Sequence, residues 1–582
     1  MEAMSKPRSL LTSVALPLAA YSCVYVWTLS HVPSTTADSI SYINTIDSGR
    51  GLLHPHHLLY NSLARMWVAV CRLVGFHTDS GILVSSLNAF FGALALCVFY
   101  SLVRRRLGSD PLTALLVTSL PAFSWGFWYY SACVEVYIIP LFLQLMCLYL
   151  LTEEHVDGLT FALVGFLNAL AVLVAEMSVL FSLVVLVAAW LRYRRDLTNL
   201  AKSLAKYLLA AVPTAAIPYV WAVMAVGEAG SFRSAWAWLT DYAHYPRFWT
   251  PLSVASIPKA GIGLARSFVG SNFVLVIPSF RHWVERLLEG FYLADEAFLV
   301  RNMGTGTAYL LVALVVILFL IVFGFLASSL REWRTLSARK RELVYLATTW
   351  CFSTAAFVFF YTSVNAKLWI QPTLCFWLIF LTFVLTPSSR KKPRLWLSRG
   401  VLAITAAILF SLNFQGSIRF TQSEANDYYY AQIEPLVKLT NPGDLIVIGT
   451  AWKFEPYLRR YGKARVLCLS TVYKESGTSS LSVERVRSAI EKELAAGRRV
   501  VISGEALEPQ RETMRAYPGM TIFRNLWDEY RGRWSQLVFA ANVAYVLQDT
   551  GEGTNFESRN EWKHKSRPAR TTRDLGDPST KL

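Results

Sequence analysis

Long apolar runs recur from residue 10 to residue 413 of this 582-residue chain, and they decide most of what it can fold into. A helix needs about 20 mostly apolar residues to cross a bilayer. Runs at 10–30, 81–103, 111–128, 136–152, 159–175, 177–191, 207–226, 307–327, 343–362, 369–386 and 399–413 meet or approach that length, predicting about eleven spans. With 54% hydrophobic and 16% charged residues, a soluble multidomain protein is a poor fit. The run at 9–30 is long for a cleaved signal and no convincing cleavage site follows it, so it reads as a first membrane anchor.

A net charge of +17 would suit a nucleic-acid partner, but its distribution argues against one. The basic residues sit in short loops between apolar runs: Arg104 to Arg106, Arg192 with Arg194 and Arg195, Arg331 to Arg341, and Arg390 to Arg399. Short Lys/Arg-rich loops stay cytoplasmic. Counting from a cytoplasmic N-terminus (Lys6, Arg8) puts all four clusters on that side. The loop 153–157 must lie there too, yet it carries Glu153, Glu154 and Asp157 and no Lys or Arg. The eight cysteines form no CxxC pair, so neither a disulfide framework nor a zinc site is indicated.

Three regions then face outward. The first, 31–80, holds an amphipathic stretch at 57–76, with Leu58, Leu59, Leu63, Met66, Trp67, Val70 and Leu73 at helical spacing, suited to a helix lying along the membrane surface. The second, 227–305, is rich in interface-seeking aromatics: Trp236, Trp238, Tyr242, Tyr245, Phe248 and Trp249. Its apolar stretch 261–280 is interrupted by Arg266 and is read as non-spanning, since a span there would invert everything after it. The third is the chain after 414. Strands are predicted at 444–449, 465–470 and 499–503, with a helix between the last two capped by Ser482 and stopped by Gly497. Strand–helix–strand order implies a small parallel α/β domain over 414–549. The polar stretch 550–582 reads as disordered. The fold expected is therefore a polytopic helical membrane domain over 1–413 followed by an extracytoplasmic α/β domain.

Ionisable residues at the outer membrane edge are the candidates for chemistry, because each is costly there without a partner. Asp38 follows the first span, where an ordinary helix N-cap is the competing explanation. Gly51-Leu-Leu-His54-Pro55-His56-His57 lacks the i, i+4 histidine spacing of a helical metal site. Glu135 and Glu176 sit at outer span junctions, hydrated loop carboxylates being the bland reading. Lys367, in the short loop Ser363 to Leu368, runs against the cytoplasmic bias of the other short-loop cations; snorkelling or an anionic phosphate at the membrane surface would each explain it. Charge counting puts Asp38, His54, Glu135, Glu176 and Lys367 on one face, an assembly suited to acid–base chemistry on a phosphate-bearing substrate.

In this respect the chain resembles the GT-C superfamily of membrane glycosyltransferases, and within it the protein O-mannosyltransferase-like branch. The resemblance rests on the first-loop acid with its neighbours (Asp38, Ser39, Tyr42), the segment Gly51, His54, Pro55 and Tyr60, the step Glu135-Val136-Tyr137, and the late segment from Asn365 to Pro372. Family members often carry His-Pro-Pro-Gly where this chain has His54-Pro55-His56-His57. The resemblance implies a polyprenyl-phosphate monosaccharide donor, with a mannose-like hexose as one option. It also implies inversion at the sugar carbon, with Asp38 as general base on an acceptor hydroxyl. His54, Tyr42, Glu135, Tyr137, Lys367 and Arg301 would bind substrate, the cations serving the phosphate. No cofactor or metal is demanded, and the partners expected are membrane lipid and the lipid-linked sugar in a bacterial inner membrane. A transporter or flippase using the same carboxylates is the rival reading. It fits less well, because no internal repeat is seen.

Overall fold

A computed structural model describes residues 8–33, 38–227, 230–240, 249, 251–254, 256–288, 293–329, 336–385, 394–449, 454–476, 479–508, 518–530, 533–539 and 542–547. The chain divides into two compact units: Met1–Leu439 with Ala451–Lys463, and Thr440–Thr450 with Ala464–Leu582. The second unit thus begins later than the last apolar run alone would place it. The expected tail 550–582 lies outside the described residues, as do Tyr242, Tyr245 and Phe248.

The first unit is helical and membrane-spanning in character. Among the described residues, seven helices are long and apolar enough to cross a bilayer: Ser80–Arg106, Glu176–Tyr193, Leu197–Ala225, Thr305–Ala327, Ala338–Phe360, Ala366–Val384 and Arg399–Thr421. Four shorter apolar helices, Val14–Trp27, Pro111–Phe123, Ile138–Leu151 and Gly158–Val174, fall on the remaining apolar runs. Acidic residues start several of them. Asp79 accepts from Gly81 N (2.7 Å), and Asp110 accepts from Thr113 N (3.1 Å) just before Pro111. Asp157 closes a capping box with Thr160. Each cap satisfies amide donors that the helix itself leaves unpaired.

Within the bundle, polar side chains join helices where hydrocarbon offers no water. Asn168 donates to Tyr207 Oη (2.9 Å), which also meets Ser182 Oγ (2.8 Å). Asn413 donates to the carbonyls of Phe123 (2.6 Å) and Phe268 (3.0 Å) and accepts from Gly270 N (2.8 Å), tying three segments to one amide.

The arginine-rich loops meet at one end of this bundle. Arg106 pairs with Glu153 (2.5 Å), Arg339 with Glu154, Arg192 with Glu342 (3.3 Å), and Arg399 with Asp110 (2.8 Å). Arg192 also donates to the carbonyls of Leu151 (3.1 Å) and Glu153 (2.5 Å). The acidic loop that seemed out of place in the sequence is therefore the counter-charge of its basic neighbours. Helix Ser80–Arg106 runs from Asp79 at the other end to Arg106 here, about 40 Å at 1.5 Å per residue.

At the Asp79 end lie the loops expected from the sequence to face outward. The stretch 261–280 forms helix Ser256–Phe268 and a short turn, Ser271–Val276, and is not among the spanning helices. The amphipathic stretch forms helix Tyr60–Leu73, which buries Tyr60, Ala64, Val68 and Cys71 and exposes Met66, Val70 and Leu73. Helix Ser39–Ser48 is clamped from a distant part of the chain: Arg460 binds Asp47 (2.9 Å) and Asp79, and Asn44 donates to the Pro456 carbonyl (2.7 Å).

The second unit is α/β. Strands β1 (Leu445–Ile448), β2 (Arg465–Cys468), β3 (Val500–Ser503), β4 (Trp534–Phe539) and β5 (Asn542–Leu547) form one sheet in the order β2-β1-β3-β5-β4. Strands β1, β2 and β3 are parallel, with Ile446 opposite Val466 and Val501, while β5 pairs antiparallel with both β3 and β4. Helix Ser479–Ala495 buries Val486, Ile490 and Leu494 and ends at Gly497, whose φ of 68° favours glycine. It starts three residues before the expected cap.

Gly165 of helix Gly158–Val174 packs so closely on helix Leu197–Ala225 that a Cβ there would collide with the Tyr207 carbonyl oxygen. Gly165→Ala is expected to cost about 1–3 kcal/mol and lower the melting temperature in detergent. Gly261→Ala, with nothing within 4 Å of the added carbon, should leave it unchanged.

Candidate active site

Three loops from distant parts of the chain converge at the Asp79 end. The Lys367 ammonium stands between Asp38 Oδ2 (2.8 Å) and Glu135 Oε1 (2.9 Å) and lies 5.6 Å from the Tyr137 ring centre. Asp38 occupies the N-cap position of helix Ser39–Ser48 but makes no side-chain cap bond. Its carboxylate is committed to Lys367 instead, so helix capping does not account for it.

Each member is placed by local structure. Ser39 Oγ donates to the Val134 carbonyl (2.6 Å), fastening the start of the Asp38 helix to the Glu135 loop. That loop is in turn held by Asn88, whose amide donates to the carbonyls of Cys133 (2.7 Å) and Glu135 (2.7 Å). Asn88 is fully buried within helix Ser80–Arg106. On the Lys367 side, Thr362 adopts φ 46°, a left-handed conformation disfavoured for a β-branched residue. Trp369 Nε1 donates to the Ser363 carbonyl (2.7 Å), and Asn365 Oδ1 accepts from Lys367 N (3.3 Å). The Lys367 loop is therefore held in one conformation after the strained residue.

The two carboxylates sit in unlike surroundings. Asp38 is 43% exposed, whereas Glu135 has no exposed side-chain surface. The nearby Lys367 charge holds Asp38 below the ordinary carboxylate range, against a smaller opposing effect of burial, with His57 and His54 assisting. For Glu135 burial is the largest effect and pushes its proton affinity up despite the same lysine. A shared cation thus leaves the accessible carboxylate the more acidic of the two.

The histidine segment forms the adjoining wall. His54 Nδ1 accepts from His56 N (3.3 Å), starting the turn Pro55–His57. The His54 and His57 rings stack at 5.2 Å, and His57 meets Tyr42 edge-on at 5.8 Å. Burial keeps the proton affinity of His57 well below the usual histidine range. His56 pairs with Glu176 (2.5 Å), which opens the turn Glu176–Phe181.

Of the residues singled out in the sequence, Asp38, Tyr42, His54, Glu135, Tyr137 and Lys367 belong to one neighbourhood. Arg301 is engaged elsewhere: it donates to Phe298 O (2.8 Å), Asn426 Oδ1 (2.9 Å) and Ala425 O (2.9 Å), joining two loops. The sequence reading missed Asn88 and gave Arg266 no role. Arg266 pairs with Glu296 (2.6 Å) and borders Tyr130, which also feels Lys367 and Glu135. Its only signal was a charge interrupting an apolar stretch. Among the described residues, no group of three His, Cys, Asp or Glu is arranged to hold a metal ion.

No family model and no curated protein matches the chain. Solved structures do. ArnT from Cupriavidus metallidurans bound to undecaprenyl phosphate aligns over 94% of this chain and 100% of its own, at 13% identity and a TM-score of 0.51. Apo ArnT aligns over 93% and 99%, at 13% identity and a TM-score of 0.52. The fold is GT-C. The S. cerevisiae protein O-mannosyltransferase Pmt1-Pmt2 complex bound to the sugar donor aligns over 40% of this chain and 35% of its own, at 15% identity and a TM-score of 0.31, and carries no argument for that branch.

Asn88 is expected to be a structural determinant of the site. Asn88→Ala strands two buried carbonyls and should cost about 1–3 kcal/mol. Asn88→Asp, which replaces a donor by an acceptor, should destabilise further; melting curves in detergent for both variants check the order.

Proposed function

We propose that this protein is a membrane glycosyltransferase that takes a monosaccharide from a polyprenyl-phosphate donor to an acceptor hydroxyl, with inversion. The observation that carries this reading is the Lys367 bridge between Asp38 and Glu135, at the end of the bundle opposite the arginine loops. A GT-C fold shared with a protein crystallised with undecaprenyl phosphate supports the choice of donor.

In this reading Asp38, the exposed carboxylate, takes the acceptor's proton as its oxygen attacks the sugar carbon. The bond from that carbon to the phosphate oxygen breaks, and the phosphate leaves with the electron pair. A hydroxyl is a weak nucleophile until a positioned base accepts its proton. The departing phosphate needs cationic donors in a partly dry site, which Lys367 supplies. Glu135 is too buried to reach an acceptor. Tyr137, Tyr42 and His54 line the place where the sugar would sit. The arginine loops face the cytoplasm, and the Asp38 end faces outward.

Asp38→Asn should reduce transfer of labelled sugar from a polyprenyl-phosphate donor by at least about 10²-fold, with expression and melting temperature unchanged. Retained activity eliminates Asp38 as the base. Lys367→Ala should raise the KM for donor more than that for acceptor, and equal effects on the two would remove its phosphate role.

A further inference from the structure

The site contains a conflict between its two functions. An ammonium pressed against a carboxylate makes that carboxylate a poor base, yet Asp38, the only accessible acid of the pair, is the one Lys367 touches at 2.8 Å. Lys367 carries three N–H donors, and among the described residues it donates to Asp38 and Glu135. A phosphate oxygen of the donor would compete for the same ammonium. Two carboxylates and one ammonium leave the triad at −1, and a sugar phosphodiester adds a second negative charge.

The charge changes of the reaction resolve the conflict. As the acceptor hydroxyl gives its proton to Asp38, that carboxylate becomes neutral. In the same step the bond between sugar carbon and phosphate oxygen breaks, and the phosphate gains the charge that Asp38 loses. A cation able to follow that transfer stabilises both ends of it. Glu135 is placed to permit this movement without losing the lysine. It has no exposed surface, and its backbone carbonyl is pinned by Asn88, so it is a fixed anchor around which a flexible four-carbon stem can swing.

We propose that Lys367 is a mobile counter-ion: the donor's phosphate draws it off Asp38 and so activates the base, while Glu135 acts as a positioning residue that keeps the lysine in the chamber. This rests on the assignment of Asp38 as base. The groups facing Asp38 are Lys367, His54, His57, Glu135, Tyr42, Tyr137 and Tyr361. Lys367 is the group that pairs with the Asp38 carboxylate at hydrogen-bond distance, so its departure changes the basicity of that carboxylate.

The test uses the full chain in lipid nanodiscs with a polyprenyl-phosphate sugar. The acid limb of kcat/KM for donor reports Asp38 in the enzyme without donor, and that for acceptor at saturating donor reports it in the donor complex. The second limb should lie at least about one pH unit above the first, a tenfold weaker acid. Coincident limbs overturn the proposal. Glu135→Gln keeps the shape but leaves Lys367 with Asp38 as its sole carboxylate, so the donor-bound limb should fall back toward the donor-free one. A limb that does not move in that variant also overturns the role of Glu135, whereas simple misfolding would lower kcat without shifting it. Asp38→Asn separates the two levels. If it is active, the base assignment fails and the counter-ion proposal with it; if it is inactive while the wild-type limbs coincide, only the counter-ion proposal fails.

Discussion

A carboxylate with no contact with solvent cannot stay charged in a protein interior without a partner, and Glu135 has one in Lys367. That requirement fixes where the chain must bring itself together. Lys367 is 232 residues from Glu135 and 329 from Asp38, so the bundle between them has to deliver three loops to one point. Its internal polar joints, Asn413 across three segments and Tyr207 with Asn168 and Ser182, set the helix packing on which that convergence relies. In hydrocarbon such bonds gain little over alternative partners. Their value here is positional, since each fixes one register of one helix against another.

The same economy explains the asymmetry of the two carboxylates. Identical chemistry and a shared counter-ion would give two equivalent acids if their surroundings matched. They differ because Asn88 and Ser39 pull the 133–135 loop into the core, whereas Asp38 stays at its edge. Environment thus sets the two residues apart, one at the edge of the core and the other inside it. The strained Thr362 belongs to the same arrangement, as a left-handed β-branched residue persists only where the surrounding contacts over-determine it.

Much of this was legible in the sequence, and the reasons are specific. Apolar runs of spanning length write the membrane helices directly, and the positions of Arg104 to Arg106 and Arg192 mark one end of the bundle. Asp38, Glu135 and Lys367 stood out because an ionisable group at a membrane edge is expensive. What a linear reading could not supply was their mutual contact, because pairing over hundreds of residues leaves no local trace. Asn88 was invisible for a related reason: one amide inside an apolar run does not interrupt the run. The loop of Glu153 and Glu154 looked anomalous because charge counting weighs cations alone, whereas the folded loops pair with each other. On helix Tyr60–Leu73 periodicity located the helix, and apolar Met66, Val70 and Leu73 are exposed while Tyr60, Ala64, Val68 and Cys71 are buried. The hairpin of β4 and β5 was missed because two six-residue strands near the end of a sheet carry a weak signal.

The clamp on helix Ser39–Ser48 has a consequence for how the protein can be dissected. Arg460 and Pro456 lie between β1 and β2 in sequence, yet they belong to the membrane unit and grip the helix that begins at Asp38. The two units are therefore interleaved along the chain. A truncation after the last apolar helix would discard the sheet and also unpin the segment bearing Asp38. Loss of turnover in such a fragment would say nothing about what the sheet itself contributes.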